Sequence, residues 1–232
     1  MREKVSKPSH IEEVIYTEKR WKVLKDKRKK AKKILHILGD AEVQSYLYGS
    51  VARGDVNKKS DIDIVVIDTV PSYFLEILLE KYRPFLKKEI VQATPNSAIK
   101  GHIYIDDITC ITFPLHNFKR RDIDFYKFGG ILSIDDIEKR VCGVSKKLLL
   151  IEPTDKGHIE SSIIGREVEV AKKIDVSIDV VYERVRVLTR RDAIGRTGTF
   201  LKIEMDEEES FEKKLKMLLD RNPEIRRSII KG

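Results

Sequence analysis

Cysteine, tryptophan and glutamine are scarce in this chain of 232 residues, with two Cys, one Trp and two Gln. Cys110 and Cys142 are too few for a disulfide framework or a zinc site. No apolar run approaches the roughly 18–20 residues that cross a bilayer, so no membrane partner is expected. The first residues, Met1-Arg2-Glu3-Lys4-Val5-Ser6, lead into polar sequence rather than the apolar stretch of a signal peptide. A cytoplasmic location is the expectation. Internal repeats and low-complexity segments are also lacking.

Charge is what the chain has in excess. Charged residues make up 36%, against about 25% in an average soluble domain. Hydrophobic residues, at 41%, are enough to bury a core. The balance leans on Lys and Glu, a composition like the ion-rich surface of a thermophile. The formal net charge of +8 favours polyanions such as nucleic acid or nucleotides.

That charge is unevenly placed. Thr17 to Leu38 hold ten Lys/Arg against Glu18 and Asp26, a local excess as large as that of the whole chain. Trp21, Leu24, Ala31, Leu35 and Leu38 recur at helical steps, so the segment reads as an amphipathic helix. Thr17 is its N-cap and Gly39 its C′ residue. Its basic face is either a nucleic-acid contact or a solvated surface.

A strand pattern from Val43 to Tyr48 then runs into Gly49-Ser50. Asp61-Ile62-Asp63-Ile64-Val65-Val66-Ile67 reads as a buried strand with an acidic start. Pro71 to Tyr82 reads as helix, Gly101 to Phe113 as a hairpin turning at Asp106-Asp107, and Leu115 to Phe128 as helix. Strands alternating with helices indicate an α/β domain.

Gly49-Ser50, ten residues, then Asp61-Ile62-Asp63 is the pattern that carries chemistry. A strand ending in Gly-Ser lets backbone N–H groups and a hydroxyl approach a triphosphate. Alternate strand residues share a face, so Asp61 and Asp63 project together. Two adjacent carboxylates suit a hard cation, and Mg²⁺ takes one or two carboxylates plus substrate phosphates. Arg53 is a candidate for neutralising phosphate oxygens.

Tyr48-Gly49-Ser50-Val51-Ala52-Arg53-Gly54-Asp55, followed by Ser60-Asp61-Ile62-Asp63-Ile64-Val65-Val66, resembles the signature of the DNA polymerase β-type nucleotidyltransferase superfamily. Minimal nucleotidyltransferases, archaeal tRNA CCA-adding enzymes and poly(A) polymerases belong to it. The resemblance implies an α/β (α+β) domain with a mixed sheet. It implies that Asp61 and Asp63 bind Mg²⁺ (or Mn²⁺) and act in catalysis, while Gly49 and Ser50 hold an NTP. It also implies a third carboxylate on a later strand. That position falls near Cys110, which is not a hard-metal ligand, so Asp107, or else Asp106, is the weaker substitute. Asp122-Ile123-Asp124 repeats the acidic alternation, but in a helical segment, where i and i+2 do not face each other.

Ile159 to Ile174 reads as helix, with an interruption at Gly165. Ser177 caps a second helix, Ile178 to Arg191, and Ala193 to Ile203 reads as two strands around a glycine turn. From Val168 onward the pattern resembles a winged helix-turn-helix. Arg184 to Lys202 carry six Lys/Arg and one acid. Tyr182, Arg186 and Arg190 fall on one helical face, a stripe suited to a nucleic-acid groove, and Arg196 lies at the turn.

The expected organisation is therefore a nucleotidyltransferase domain over residues 15–150, a winged helix-turn-helix over 155–205 and a helical tail over 206–232. The leading function is Mg²⁺-dependent transfer of an NMP from NTP to a hydroxyl acceptor, with DNA or RNA bound by the winged helix. The alternative is a catalytically degenerate regulator that senses nucleotide and binds DNA.

Overall fold

The computed structural model describes residues 5–6, 9–195, 198–223 and 225–226. It begins with β1 (Ile11–Ile15) and the long basic helix α1 (Glu18–Asp40). Thr17 caps α1 by accepting from the backbone N–H of Arg20. The helix runs to Asp40, one residue past the glycine expected to stop it.

Leu24, Ala31, Ile34, Leu35 and Leu38 bury the inner face of α1, and two of its basic residues go in with them. The Arg28 guanidinium donates to the carbonyls of Val51, Ala52, Ile137 and Lys139. Burial depresses its pKa to about 10. Lys27 Nζ donates to Ser60 O at 2.6 Å. Part of the charge excess of α1 therefore ties down α2, the segment at 137–139 and the residue before Asp61 instead of facing solvent.

After α1 come β2 (Ser45–Tyr48), the single turn α2 (Ser50–Arg53), β3 (Ile62–Val66), α3 (Ser72–Leu78) and a 3₁₀ turn at Glu80–Tyr82. Three strands follow, β4 (Lys87–Gln92), β5 (Lys100–Asp106) and β6 (Thr109–Pro114), then α4 (Arg120–Gly129) and β7 (Ile131–Leu132). The hairpin of β5 and β6 lies where the pattern placed it. Next are β8 (Gly143–Val144), β9 (Leu149–Thr154), β10 (Gly157–Ser162), α5 (Glu167–Lys173) and α6 (Ile178–Ile194). The chain closes with β11 (Leu201–Met205) and α7 (Phe211–Arg221).

Two sheets form. The larger has the order β11-β4-β5-β6-β3-β2-β7. It is mixed: β3 and β6 run parallel, and the other described pairs are antiparallel. The smaller, β1-β10-β9-β8, is antiparallel throughout. A core from α1, β2, β3, β5 and β6 fills the space beneath the larger sheet. A second core joins Phe128 of α4 and Leu148 and Leu150 around β9 to Val170, Val181 and Leu188 of α5 and α6.

The C-terminal region departs from expectation in three places. Residues 157–162 form β10, not the start of a helix. The isoleucines at 159 and 163 mimic helical spacing, but Gly157 admits a close strand pairing, since a Cβ there would stand 1.9 Å from Val14 O. Leu201–Met205 does not return as a wing strand. It pairs antiparallel with β4, whose edge would otherwise be open, and buries Met205. The segment expected as a tail packs into the larger core, where Phe211 meets Phe113 edge to face at 5.0 Å between ring centroids. The expected boundaries at 150/155 and 205/206 thus cut through shared packing.

Candidate functional site

The site is built where β2 and β3 end side by side. Tyr48 of β2 is the register partner of Asp63 on β3. The chain then turns sharply at Gly49, whose φ of +80° lies in the left-handed region that disfavours side chains. A Cβ at Gly49 would stand 3.8 Å from Asp63 Oδ2, so the bend sits directly beside that carboxylate. The Gly49 N–H donates to Gly130 O at 2.9 Å, and Ser50 opens α2.

Asp61, just before β3, is exposed, while Asp63 is half-buried. Both line one cavity of about 210 Å³ with Tyr48, His102, Tyr104 and Cys110. Burial raises the Asp63 carboxyl to about 6, and the Asp61 charge adds to the rise. Lys146 opposes it. Two carboxylates that repel in this way form a donor set that a hard divalent cation would stabilise.

Cys110 occupies the position beside them. It is the register partner of Asp63 across the parallel β3–β6 pair and of Tyr104 across β5–β6. Burial pushes its thiol up to about 12, with Asp63 adding to the shift, so it stays protonated and neutral. His102 Nδ1 lies 3.5 Å from Cys110 Sγ and 3.1 Å from Thr112 Oγ1. Burial lowers His102 to about 4, so it too is neutral near pH 7.

The two substitute acids part ways. Asp106 is engaged: it forms an ion pair with Lys30 and accepts from the Ile108 N–H at 3.1 Å. Asp107 is exposed on the rim of the cavity. Its carboxylate does not join Asp61 and Asp63 in a group whose ligand atoms all lie within 4.8 Å, among the described residues.

Arg53 is placed differently from the phosphate contact expected of it. It is buried and holds Asp55 through two bonds, Nε–Oδ1 at 3.0 Å and Nη2–Oδ2 at 2.9 Å. Nη1 donates to Gly129 O at 2.5 Å. With its donors committed to these partners, the guanidinium braces the turn after Gly49 and does not line the cavity. Cavity residues that sequence reasoning passed over include His102, Tyr104 and Thr112. The available signal was the period-2 alternation of β5 and β6, which puts them on the same face as Cys110.

On α6, Tyr182, Arg186 and Arg190 are all exposed, so the expected stripe exists as a surface. Ser177 caps the helix by accepting from Asp179 N. Arg184 is different: it packs over the Phe125 ring at 5.0 Å, and burial lowers its pKa to about 10. Arg196 lies outside the described residues.

No curated protein and no solved structure matches the chain. Residues 27–126, from within α1 into α4, match the family model of the nucleotidyltransferase domain, so the stretch that builds the paired carboxylates and their cavity is nucleotidyltransferase-like in sequence as well as in its mixed sheet.

Proposed function

We propose that the cavity at the β2–β3 ends binds a divalent metal–NTP complex and that the chain transfers an NMP from it to a hydroxyl acceptor. The observation that carries this reading is the convergence of Asp61 and Asp63 on one cavity beside the Gly49 bend. Asp61 and Asp63 would hold the cation, Mg²⁺ or Mn²⁺. Such a cation, when bound, neutralises phosphate charge and stabilises the leaving pyrophosphate. Gly49 keeps the carboxylate of Asp63 accessible by having no side chain to cover it. Ser50, at the start of α2, follows the bend directly and would face the triphosphate. Tyr48 and Tyr104 wall the cavity. The exposed Tyr182–Arg186–Arg190 stripe is the surface for a nucleic-acid partner.

Cys110 favours a second reading, a regulator that binds nucleotide without transferring it. A neutral thiol beside Asp63 supplies no third hard ligand. The test is transfer of α-labelled NTP with Mg²⁺ or Mn²⁺ to pooled tRNA, to DNA and to the protein itself. Label transfer that Asp61→Asn/Asp63→Asn abolishes supports the enzyme. Metal-dependent NTP binding without transfer supports the regulator. In that case Cys110→Asp, which puts a carboxylate beside Asp63, is expected to tighten divalent-ion binding.

A further inference from the structure

A different cluster of metal-binding side chains sits on the smaller sheet, where β1 and β10 pair. His10 and Glu12 are two residues apart at the start of β1, so their side chains share a face. Glu12 is the register partner of Glu160 on β10. Like charges directly opposite each other on paired strands are destabilising unless something neutralises them. No lysine or arginine forms an ion pair with either carboxylate among the described residues. Their neighbours are imidazoles: His10 Nε2 lies 3.0 Å from Glu160 Oε1 and 3.9 Å from Glu12 Oε2. The ligand atoms of His10, Glu12 and Glu160 all lie within 4.8 Å of one another.

The support behind this trio is ordered. His158, almost fully buried, places Nε2 3.3 Å from the second oxygen of Glu160. Tyr16 OH meets its Nδ1 at 2.6 Å. Outer partners of this kind orient ligands at metal sites. The trio itself is open to solvent, with Glu12 the most exposed of the three. An ion could therefore enter without unfolding the sheet.

We propose that His10, Glu12 and Glu160 form a binding site for a divalent transition-metal ion of the zinc type, separate from the nucleotide cavity. One imidazole with two carboxylates suits such an ion better than Mg²⁺, which prefers oxygen donors alone. Three protein ligands leave a position for water. Binding takes the lone pair of His10 Nε2 and leaves that ring's proton on Nδ1. The ion links the strand preceding α1 to β10, so it stabilises the N-terminal edge of the smaller sheet.

The test is calorimetric titration of the full chain with zinc chloride, in an Asp61→Asn/Asp63→Asn background that removes the other carboxylate pair. The expected result is one bound ion per chain and a higher Tm with zinc. His10→Ala and Glu12→Gln should each weaken binding by about tenfold or more. Glu12 is exposed and faces Glu160, so Glu12→Gln is expected to melt no lower than the parent without zinc, which separates lost ligation from lost folding. Absence of zinc binding, or binding as tight in both variants as in the parent, overturns the proposal.

Discussion

The tripeptide Asp-Ile-Asp occurs twice, at 61–63 and at 122–124, and the two copies do opposite things. In the first copy the chain is entering a strand, so both carboxylates reach one cavity. In the second it is entering α4, where residues two apart point in different directions. Asp122 accepts from the backbone N–H of Lys119 at 3.1 Å and caps its own helix. Asp124 is buried and accepts from the Ser177 N–H at 3.0 Å, which fixes the turn before α6. Backbone N–H groups satisfy the second pair, while the first pair is left facing itself. The same three residues make a facing pair of carboxylates in a cavity or a structural brace according to the backbone that carries them.

Five variants sharpen that contrast. Asp61→Asn/Asp63→Asn is expected to have the largest effect, a loss on the order of 10²–10³-fold in label transfer, as for removal of a main electrostatic group. Metal-dependent nucleotide binding, read by calorimetry, should fall with it. Asp122→Asn in the same assay should leave transfer close to that of the parent.

Titration separates the pairs next. The Asp63 carboxyl is raised from 3.8 to about 6, so the unfolded chain releases this proton first as pH rises. Its contribution to metal-free stability is therefore lost between about pH 4 and pH 6, on the order of 3 kcal/mol. Urea melts across that window should show the slope, and Asp63→Asn should flatten it. Divalent-ion binding at the cavity should weaken as pH falls through about 6.

Asp124→Ala leaves the Ser177 N–H without its partner and is expected to cost about 1–3 kcal/mol. Thermal melts would register the loss, and limited proteolysis should cut between α5 and α6 sooner. The smallest effect belongs to Asp122→Ala, an N-terminal capping loss of about 1 kcal/mol in the same melts. If Asp122→Ala proved costlier than Asp124→Ala, the division of labour within the second tripeptide would be wrong.

Local signals made the first half of the chain legible. Thr17, the apolar steps of α1, the Gly49 bend and the alternation around Asp61 and Asp63 are all short-range features. Each appears where the pattern put it. Arg53 was misread because, besides Asp55 two residues on, it is held by the carbonyls of Gly129 and Val144, which lie far along the chain. The C-terminal part was misread for a related reason. Isoleucines at 159 and 163 satisfy a helical period, and pairing with β1 on one side and β9 on the other makes that segment a strand. Leu201–Met205 alternates like any strand, but its partner is β4, more than a hundred residues earlier.

By itself the sequence determined the basic α1, the paired carboxylates with their glycine bend, and the capped helix with an exposed Tyr-Arg-Arg face. Each follows from backbone preference and side-chain period over a few residues. Tertiary structure alone decided which arginines are buried against carbonyls, that Cys110 and neither Asp106 nor Asp107 pairs in register with Asp63, and that the last strand closes the larger sheet. Those outcomes depend on register between distant strands and on the cost of leaving a buried polar group without a partner.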